Sequence, residues 1–372
     1  MSVEVNNISN YGENGGPIIS GIATVNTTGH IRVPNGTEAQ RVGVESGSLR
    51  FNTDYNVVEF YNGTEWLGIY ERDGVNINSR GVFGGGSSTP SAESGIIDYI
   101  EIATTGNAID FGDLYDGQTN SACSSSTRGV WGGGFISPSN FYLDTIHYVT
   151  ILSEGNSIDF GNLTNSRRNL AACSNSTRGL FGGGDKTPGV TAQNTIDTIL
   201  IATTGNATDF GDLSANRTFI QALADTTTAL FAGGSGTVAV SRQIDSTTIA
   251  STGTVADFGD LTAQSGGQGG GCSSSTRGLF MGGGRSTIDY VTIASAGDAA
   301  VFGNLIGGTT NNPSACSSPV RAVCAIDFGG GAYNASELQY VNTFSLSDAQ
   351  DFGFLSVKRS YVKGCSNGHG GL

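Results

Sequence analysis

The sequence predicts an all-β protein, and three observations lead to that prediction. Glycine supplies 58 of the 372 residues, and Ser, Thr and Asn are abundant. Stretches of Ala, Leu, Glu and Lys with a 3.6-residue period, which would predict long helices, are missing. The phrase Arg-Gly-apolar-aromatic-Gly returns along the chain at a nearly constant spacing. Repetition of one small β unit therefore accounts for most of the length.

The repeat is located by the residue after its Arg, or after the residue that replaces the Arg. These markers are Gly81, Gly129, Gly179, Ala229, Gly278 and Ala322, at steps of 48, 50, 50, 49 and 44 residues, and Gly371 lies 49 residues further on. Each period carries four strand-forming phrases: Arg-Gly, Ile-Asp-Tyr, Asp-Phe-Gly and Ala-Cys-Ser. Four short antiparallel strands in about 48 residues predict one blade of a β-propeller.

Six full periods predict six blades. Seven blades are the alternative if Val75 to Ser79 and the N-terminal hairpin form a partial blade. The chain ends at a Cys-Ser phrase, and the array begins at the Arg-Gly phrase that normally follows it. We therefore expect residues 364–372 to supply the missing strand of the first blade. The apolar and aromatic residues before each glycine run, and the Phe of Asp-Phe-Gly, should pack between blades, with the glycines where backbones crowd.

The blades resemble kelch-type repeats, in which a di-glycine follows an apolar strand and an aromatic strand comes next. Gly-Gly-Gly, Ile-Asp-Tyr and Asp-Phe-Gly-Asp-Leu take those places here. The pattern has Phe where kelch repeats usually have Trp, and it lacks their regular Tyr-Asp-Pro phrase. The resemblance implies a six-bladed kelch-like β-propeller over residues 75–372.

Residues 30–74 lie outside the repeat and predict a small β-hairpin module. Two strands, Ser48 to Thr53 and Val57 to Tyr61, are expected to flank a turn at residues 54–56. Asn62-Gly63 then leads into a third strand that ends at Ile69. Residues 1–29 are predicted to be an irregular attachment arm.

The stretch from Pro34 to Trp66 is similar to a module of virion proteins of tailed bacteriophages, especially tail fibres and related appendages of phages of marine cyanobacteria. Its pattern is Pro-x-Gly-Thr-x-Ala-Gln-Arg, then Gly-x-Leu-Arg-Phe/Tyr-Asn-Thr, then Tyr-Asn-Gly-x-x-Trp. The matching residues are Pro34, Gly36, Thr37, Ala39, Gln40, Arg41, Gly47, Leu49, Arg50, Phe51, Asn52, Thr53, Tyr61, Asn62, Gly63 and Trp66. The resemblance implies a structural virion protein that attaches to other virion proteins through its N-terminal region and forms a homo-oligomer.

Charge and composition argue against several classes of function. Lys and Arg number 18 against 32 Asp and Glu, which gives a net charge of -14. An acidic chain without a basic run is a poor partner for nucleic acid or an anionic membrane surface. No apolar run approaches the roughly 18 residues that span a bilayer, and the first residues predict no signal peptide. Only three histidines occur, and none of them recurs from one repeat to the next, so the sequence offers few ligands for a histidine metal site and few bases for a Ser-His-Asp triad.

The cysteines and the paired carboxylates each allow two interpretations. Five of the six cysteines occupy one repeat position, which favours buried free thiols over disulfides, and only Cys316 and Cys324 are candidates to approach each other. The carboxylate pairs either bind calcium or, as we favour, bond to their own turn backbone. These pairs are Asp110/Asp113, Asp209/Asp212 and Asp257/Asp260. No cofactor is expected.

Two sets of residues are candidates for binding. The repeated arginines either line one end of the ring and bind an acidic ligand, or bond loop carbonyls between blades. They are Arg80, Arg128, Arg178, Arg277 and Arg321. The loops after the glycine runs vary in length, and variable loops on one rim of a rigid scaffold often carry recognition. Their aromatic residues Phe135, Phe141, Tyr142 and Tyr333 are candidates to stack on sugars, unless these loops are only tolerated insertions.

The sequence thus leads to one expected function and two alternatives. The expected function is a tail fibre or tail appendage of a phage virion whose propeller binds a host-surface glycan or another virion protein, without catalysis. The first alternative is a capsid decoration or head-fibre protein. The second is a propeller enzyme that acts on glycans.

Overall fold

A computed structural model describes residues 33–41, 45–55, 57–69, 79–89, 92–115, 121–136, 141–186, 191–235, 241–253, 255–310, 312–326 and 336–372. The predicted arm, residues 1–29, lies outside the described residues, as do Val75 to Asn78. The chain divides into two compact units, Met1–Glu71 and Arg72–Leu372. The described part contains no α-helix, and none of its helical segments is long and apolar enough to cross a membrane.

The N-terminal unit contains a four-stranded sheet with the order β1-β2-β3-β4. Its elements are β1 (Asn35–Gly36), a 3-10 helix (Glu38–Gln40), β2 (Leu49–Asn52), β3 (Val57–Tyr61) and β4 (Trp66–Ile69). The antiparallel pairs β2–β3 and β3–β4 confirm the predicted strands. The short strand β1 runs parallel to β2, which the sequence does not predict.

A buried carboxylate, that of Glu59 on β3, organises this sheet. Its oxygens lie 2.5 Å from Arg41 Nη2 and 3.3 Å from Arg50 Nε, and Asn52 Nδ2 donates to Glu59 Oε2 at 3.1 Å. The guanidinium groups of Arg41 and Arg50 also lie 6.0 and 5.8 Å from the centre of the Trp66 ring. Four residues of the N-terminal sequence pattern, Arg41, Arg50, Asn52 and Trp66, therefore lie together around one buried charge.

The C-terminal unit is built from short strands. Those of its first half are β5 (Arg80–Gly84), β6 (Ser87–Thr89), β7 (Ala92–Glu93), β8 (Ile96–Glu101), β9 (Ile109–Asp113), β10 (Ala122–Ser124), β11 (Arg128–Ile136), β12 (Phe141–Thr150), β13 (Ile158–Asn162), β14 (Ala171–Ser174), β15 (Arg178–Gly182), β16 (Asp185–Lys186), β17 (Thr191–Leu200) and β18 (Thr208–Arg217). Those of its second half are β19 (Gln221–Ala224), β20 (Thr228–Ala232), β21 (Gln243–Thr248), β22 (Ala256–Asp260), β23 (Gly269–Ser273), β24 (Arg277–Gly282), β25 (Thr287–Thr292), β26 (Ala300–Asn304), β27 (Ser314–Ser317), β28 (Arg321–Ala325), β29 (Glu337–Asn342), β30 (Gln350–Phe354) and β31 (Lys363–Ser366).

These strands form six antiparallel sheets, one for each period of the repeat. We number them as sheet 1 (β31-β5-β8-β9), sheet 2 (β10-β11-β12-β13), sheet 3 (β14-β15-β17-β18, with β16 beside β17), sheet 4 (β19-β20-β21-β22), sheet 5 (β23-β24-β25-β26) and sheet 6 (β27-β28-β29-β30). Strands β6 and β7 form a separate two-stranded sheet. The four strand-forming phrases predicted in each period are therefore confirmed.

The last strand of the chain belongs to the first sheet. Strand β31 pairs antiparallel with β5, so that Cys365 lies opposite Val82 and Lys363 lies opposite Gly84. The indole Nε1 of Trp131 in sheet 2 donates to the Lys363 carbonyl at 3.0 Å. The prediction that the C-terminal residues complete the first sheet is confirmed.

Apolar clusters connect the sheets in pairs. Six clusters are present in the described residues, and each takes its members from two consecutive sheets, with one of them joining sheet 6 to sheet 1. The cluster between sheets 1 and 2, for example, buries Phe111 and Trp131 together. The expectation that these aromatic residues pack between sheets is confirmed. Each fully buried side chain of this size contributes about 1.5–3 kcal/mol.

The glycine of the Asp-Phe-Gly phrase marks a close approach between neighbouring sheets. Gly211 in sheet 3 has φ of +147°, and a Cβ added there would lie 2.2 Å from the Gly253 carbonyl oxygen of sheet 4. Gly353 in sheet 6 has φ of +150°, with the Gly106 carbonyl of sheet 1 at 2.3 Å from the added Cβ. Only glycine satisfies both the backbone angle and the short distance.

The six strands that begin the sheets, which we call the central strands, lie side by side. They are β31, β10, β14, β19, β23 and β27, and each contacts the next, with β27 contacting β31. Serine hydroxyls join them by donating to a carbonyl of the preceding strand: Ser124 to Ser366, Ser174 to Ser124, Ser273 to Ala224, Ser317 to Ser273 and Ser366 to Ser317. Ala224 occupies the sixth position, where no hydroxyl is available.

All six cysteines are buried free thiols, as the sequence favours. Five of them lie on central strands, with the sulfur directed at the next sheet. A Cβ added to Gly179 would lie 2.8 Å from the sulfur of Cys123, and one added to Gly81 would lie 2.6 Å from that of Cys316. Burial raises the pKa of the Cys272 and Cys365 thiols to about 12. These cysteines are packing residues with little thiolate at neutral pH.

Candidate functional site at the open end of the central strands

The cavity between the central strands is too narrow for an organic ligand. Two compartments of about 40 and 50 Å³ lie between the strands. Small residues line both compartments: Ala122, Ala172, Ala222, Gly271, Ala315 and Gly364. Such volumes hold a few water molecules. A larger ligand therefore cannot bind between the central strands.

One end is covered by the residues that follow β31. The half-buried ring of His369 lies with Nε2 at 3.0 Å from the Ser124 carbonyl, and Gly370 N donates to the Ser273 carbonyl at 2.9 Å. Gly371 N donates to Nδ1 of His369 at 3.1 Å, so Nε2 carries the ring hydrogen. Burial lowers the pKa of His369 to about 4, and the ring is therefore neutral at neutral pH.

The opposite end opens into a cavity of about 540 Å³, which we call the mouth. Its lining consists of Phe219, Tyr361, Gln264, Asn312 and two glycine pairs at 266–267 and 283–284. Two aromatic rings, two amide side chains and exposed peptide groups thus meet in one concave space. The volume lies within the range of about 300–1,000 Å³ that is usual for small-ligand sites.

The two aromatic residues of the mouth have an unusual backbone conformation. Phe219 and Tyr361 have φ of +60° and +63°, and Asn169, at the same position before β14, has φ of +55°. The left-handed region is common for Asn but costs a bulky residue about 1–3 kcal/mol. The Phe219 N–H donates to the Asn169 carbonyl at 2.9 Å, which links the segments that precede β14 and β19.

Buried ion pairs hold these left-handed segments in place. Arg217, two residues before Phe219, pairs with Asp245 and donates to the Gln243 carbonyl at 3.1 Å. Arg359, two residues before Tyr361, lies 3.0 Å from the Asp98 carboxylate. All four side chains are fully buried. Because a charge-assisted hydrogen bond is strong in a dry interior, the anchors can offset the backbone cost beside them.

The glycine runs close around the same segments. Gly184 N donates to the Arg217 carbonyl at 2.9 Å, and a Cβ on Gly183 would lie 2.8 Å from that oxygen. Gly284 N makes the equivalent bond to the Thr310 carbonyl at 2.8 Å. The predicted role of the glycines, to allow backbones to crowd, is confirmed at the mouth.

Asp185 is a second anchor on this side of the molecule. Its buried carboxylate accepts from Arg168 Nε at 3.1 Å, Asn169 Nδ2 at 2.9 Å, Thr218 Oγ1 at 2.8 Å and the Tyr142 hydroxyl at 3.2 Å. Burial, together with the Asp185 charge, raises the pKa of Tyr142. One carboxylate therefore connects sheets 2 and 3 with the segments that precede β14 and β19.

The predicted rim aromatics lie at the end of the β11–β12 hairpin, apart from the residues that line the mouth. Phe135 and Tyr142 pack edge to face with ring centres 5.9 Å apart, and the Arg168 guanidinium lies 4.8 and 4.7 Å from their centres. Tyr142 is buried, whereas Phe141 is 62 % exposed. Of these three, Phe141 alone presents a largely free ring. Tyr333 lies outside the described residues.

The repeated arginines lie at the starts of their strands, at the end that the C-terminal residues cover. Four of them donate to carbonyls of another sheet: Arg80 to Ile151 at 3.3 Å, Arg128 to Ile201 at 2.9 Å, Arg277 to Thr343 at 2.8 Å and Arg321 to Ile102 at 3.0 Å. The same four guanidinium groups lie 4.0–4.8 Å from the ring centres of Tyr99, Tyr148, Tyr290 and Tyr340. Arg178 occupies the equivalent place in sheet 3, where Thr198 replaces the tyrosine.

These contacts match the second of the two interpretations, in which the arginines bond carbonyls between sheets. Binding of an acidic ligand by these arginines stays a prediction without a supporting contact.

Sequence reasoning missed the Asp of the Ile-Asp-Tyr phrase as a structural residue. Asp197 in sheet 3 accepts from both the backbone N and the hydroxyl of Thr164 in sheet 2, and Asp245 does the same for Ser214. The signal was available, because a polar residue recurs inside an apolar strand. Among the described residues, no group of three His, Cys, Asp or Glu is placed to hold a metal ion.

Comparison with protein families and with curated proteins finds no match to this chain.

Proposed function

We propose that residues 75–372 form a closed six-bladed β-propeller of kelch-like design. Three features support closure. Strand β31 pairs with β5, an apolar cluster joins sheets 6 and 1, and Ser366 donates to Ser317 while its own carbonyl accepts from Ser124. Closure removes the exposed sheet edges that a linear array would leave at its two ends.

We further propose that the protein is a structural component of a tailed-phage virion, in the tail or an appendage. The observation that carries this proposal is the N-terminal pattern from Pro34 to Trp66. Its residues Arg41, Arg50, Asn52 and Trp66 meet around Glu59, so the likeness extends to a set of residues that form one physical unit. The N-terminal unit would attach the propeller to other virion proteins, and the propeller would contact the host surface without catalysis.

The chemistry of the C-terminal unit supports a binding role. The fully buried carboxylates of Asp98, Asp197 and Asp245 each pair with an arginine and a Ser or Thr. Carboxylates that are fully buried and bonded to these partners cannot act as a general acid and base pair. The open mouth is a place for a ligand to bind.

The decisive experiment is localisation on particles. Antibodies against the C-terminal unit would be applied to purified virions and imaged by electron microscopy. Label on tails or appendages supports the proposal, and label confined to heads favours a decoration protein instead. Particles without label, from a lysate that contains the protein, would overturn the virion assignment.

A matched pair of variants tests the attachment role. Glu59→Gln removes the buried charge between Arg41 and Arg50, whereas Glu65→Gln changes an exposed carboxylate in the turn between β3 and β4. We expect Glu59→Gln to destabilise the N-terminal unit and to remove the protein from particles, because the buried Arg50 guanidinium loses its carboxylate partner and Arg41 keeps only Glu38. Glu65→Gln should be incorporated normally. Normal incorporation of both variants would contradict attachment through this unit.

A further inference from the structure

We propose that the mouth is a binding site for a short neutral glycan, with Phe219 and Tyr361 as its stacking residues. This inference rests on the proposed host-surface role, and it moves the ligand site from the β11–β12 hairpin to the end of the central strands.

The backbone conformation indicates that the two aromatic residues are not required by the fold. The equivalent left-handed position before β14 holds Asn169, a residue type that adopts this conformation at low cost. Phe219 and Tyr361 occupy the same conformation at a higher cost. Strain of this kind tends to occur at ligand sites, and both rings line the same open cavity.

The remaining lining fits a polyhydroxylated ligand. Gln264 carries an exposed amide that can donate to and accept from hydroxyl groups. Gly266 and Gly284 are exposed, and their lack of a side chain allows a ligand to approach the backbone closely. An apolar face for the C–H side of a sugar ring and an amide for its hydroxyls are thus combined in one pocket.

Charge argues for a neutral ligand. The described residues that line the mouth include no Asp, Glu, Lys or Arg, and the chain as a whole carries a net charge of -14. An acidic glycan would be repelled by the overall charge and would find no guanidinium or ammonium group among the described residues of the lining. A deeper position is closed to any sugar, because the compartments between the central strands hold only about 40 and 50 Å³.

The test is a glycan array that carries neutral oligosaccharides together with their sialylated and uronic-acid counterparts, probed with the full-length protein. Phe219→Asn and Tyr361→Asn remove the rings and install the residue found at the equivalent position 169, so the fold should be retained. Phe141→Ala is the matched control, since it removes the exposed aromatic ring of the β11–β12 hairpin. Thermal unfolding of each variant checks that the fold is intact.

We expect binding to neutral glycans that is at least about tenfold weaker in Phe219→Asn and Tyr361→Asn, which corresponds to about 1.4 kcal/mol for a stacked ring. Phe141→Ala should bind as the unchanged protein does. Loss of binding in Phe141→Ala with retention in Phe219→Asn would overturn the proposal in favour of the hairpin. Binding restricted to acidic glycans would also overturn it.

Two outcomes separate this inference from the virion assignment. If the protein labels phage tails but binds no glycan on the array, the glycan site is wrong and the virion role stands. If adsorption to host cells depends on Phe219 while no array glycan competes, the mouth binds a protein, which also contradicts the glycan proposal.

Discussion

Replacement of Asp98 by Asn is the sharpest single test of closure. Asp98 lies in sheet 1, and its carboxylate accepts from the Ser356 backbone N at 3.1 Å, from the Ser356 hydroxyl, and from Arg359 Nη1 at 3.0 Å. Both partner residues lie in the segment that leads from β30 of sheet 6 to β31 of sheet 1. The contact therefore fixes the segment that would close the propeller against the first sheet.

The same arrangement occurs at an internal interface, which supplies the control. Asp245 in sheet 4 accepts from the Ser214 backbone N at 3.0 Å and hydroxyl at 2.8 Å, and pairs with Arg217. Loss of one partner from a buried ion pair costs about 3–5 kcal/mol, because the other charge stays buried without compensation. We expect Asp98→Asn and Asp245→Asn to lower the free energy of unfolding by similar amounts in that range.

Trp131 offers a local reporter of the closing strand. The chain has two tryptophans, so a Trp66→Phe background leaves only Trp131, whose indole donates to the Lys363 carbonyl. Urea unfolding followed by its fluorescence would give the free energy for each variant. The double variant Asp98→Asn/Arg359→Met should recover part of the loss, because the orphaned charge is removed as well.

The contradicting result would be a free energy of unfolding for Asp98→Asn within about 0.5 kcal/mol of that of the unchanged protein, as is usual for surface substitutions, together with a loss of several kcal/mol for Asp245→Asn. That result would mean that sheets 6 and 1 do not share a buried ion pair in solution, and the closed propeller would have to be abandoned.

Three further predictions address other parts of the same unit. Gly211→Ala should destabilise the C-terminal unit by several kcal/mol in thermal unfolding, because the new Cβ would lie 2.2 Å from the Gly253 carbonyl oxygen. Gly106→Ala is the control and should cost far less, because the space around a Cβ there is open. Equal effects of the two substitutions would refute the role assigned to the close approach. Ala224→Ser should stabilise the C-terminal unit by about 0.5–1.5 kcal/mol in urea unfolding, because it supplies the one hydroxyl that is missing from the hydrogen bonds between central strands. A neutral or destabilising result would show that this position differs from the other five. Protonation of His369 is disfavoured in the fold, where its pKa is about 4. The free energy of unfolding should therefore be constant with respect to this group above about pH 6.5 and fall by up to about 3 kcal/mol as the pH drops towards 4. His369→Gln should lack this part of the pH dependence, and identical pH profiles of the two proteins would contradict the role assigned to His369.

The repeat made most of the secondary structure predictable from the sequence. A phrase that returns six times can be aligned with itself, so Ile-Asp-Tyr and Asp-Phe-Gly could be assigned to strands, and the partial repeat at the C-terminus indicated which sheet β31 completes. The recurrence of Asp98 and Asp245 inside an apolar strand indicated a structural role, but it did not indicate their partners. Arg359 and Arg217 lie in connecting segments that do not follow the strand pattern.

The mouth was missed because its residues differ between repeats. Position 169 is Asn, and the equivalent positions 219 and 361 are Phe and Tyr, so self-comparison gives no signal there. Two of the four aromatic residues that sequence reasoning chose instead, Phe135 and Tyr142, are packed on Arg168. Their exposure depends on side-chain packing across the hairpin, which the spacing of residues does not reveal.

The difference between residues that repeat and residues that vary between repeats also bears on function. The residues that repeat, namely the serines of the central strands, the buried carboxylates and the close-approach glycines, all have a structural explanation in the contacts between sheets. In the closed propeller that we propose, six equivalent units would offer six equivalent positions at the mouth, and identical residues there would present a symmetrical surface. Phe219, Asn312 and Tyr361 instead make the mouth asymmetrical. An asymmetrical site on a repetitive scaffold is what recognition of a small chiral ligand requires, because such a ligand has no sixfold symmetry to match.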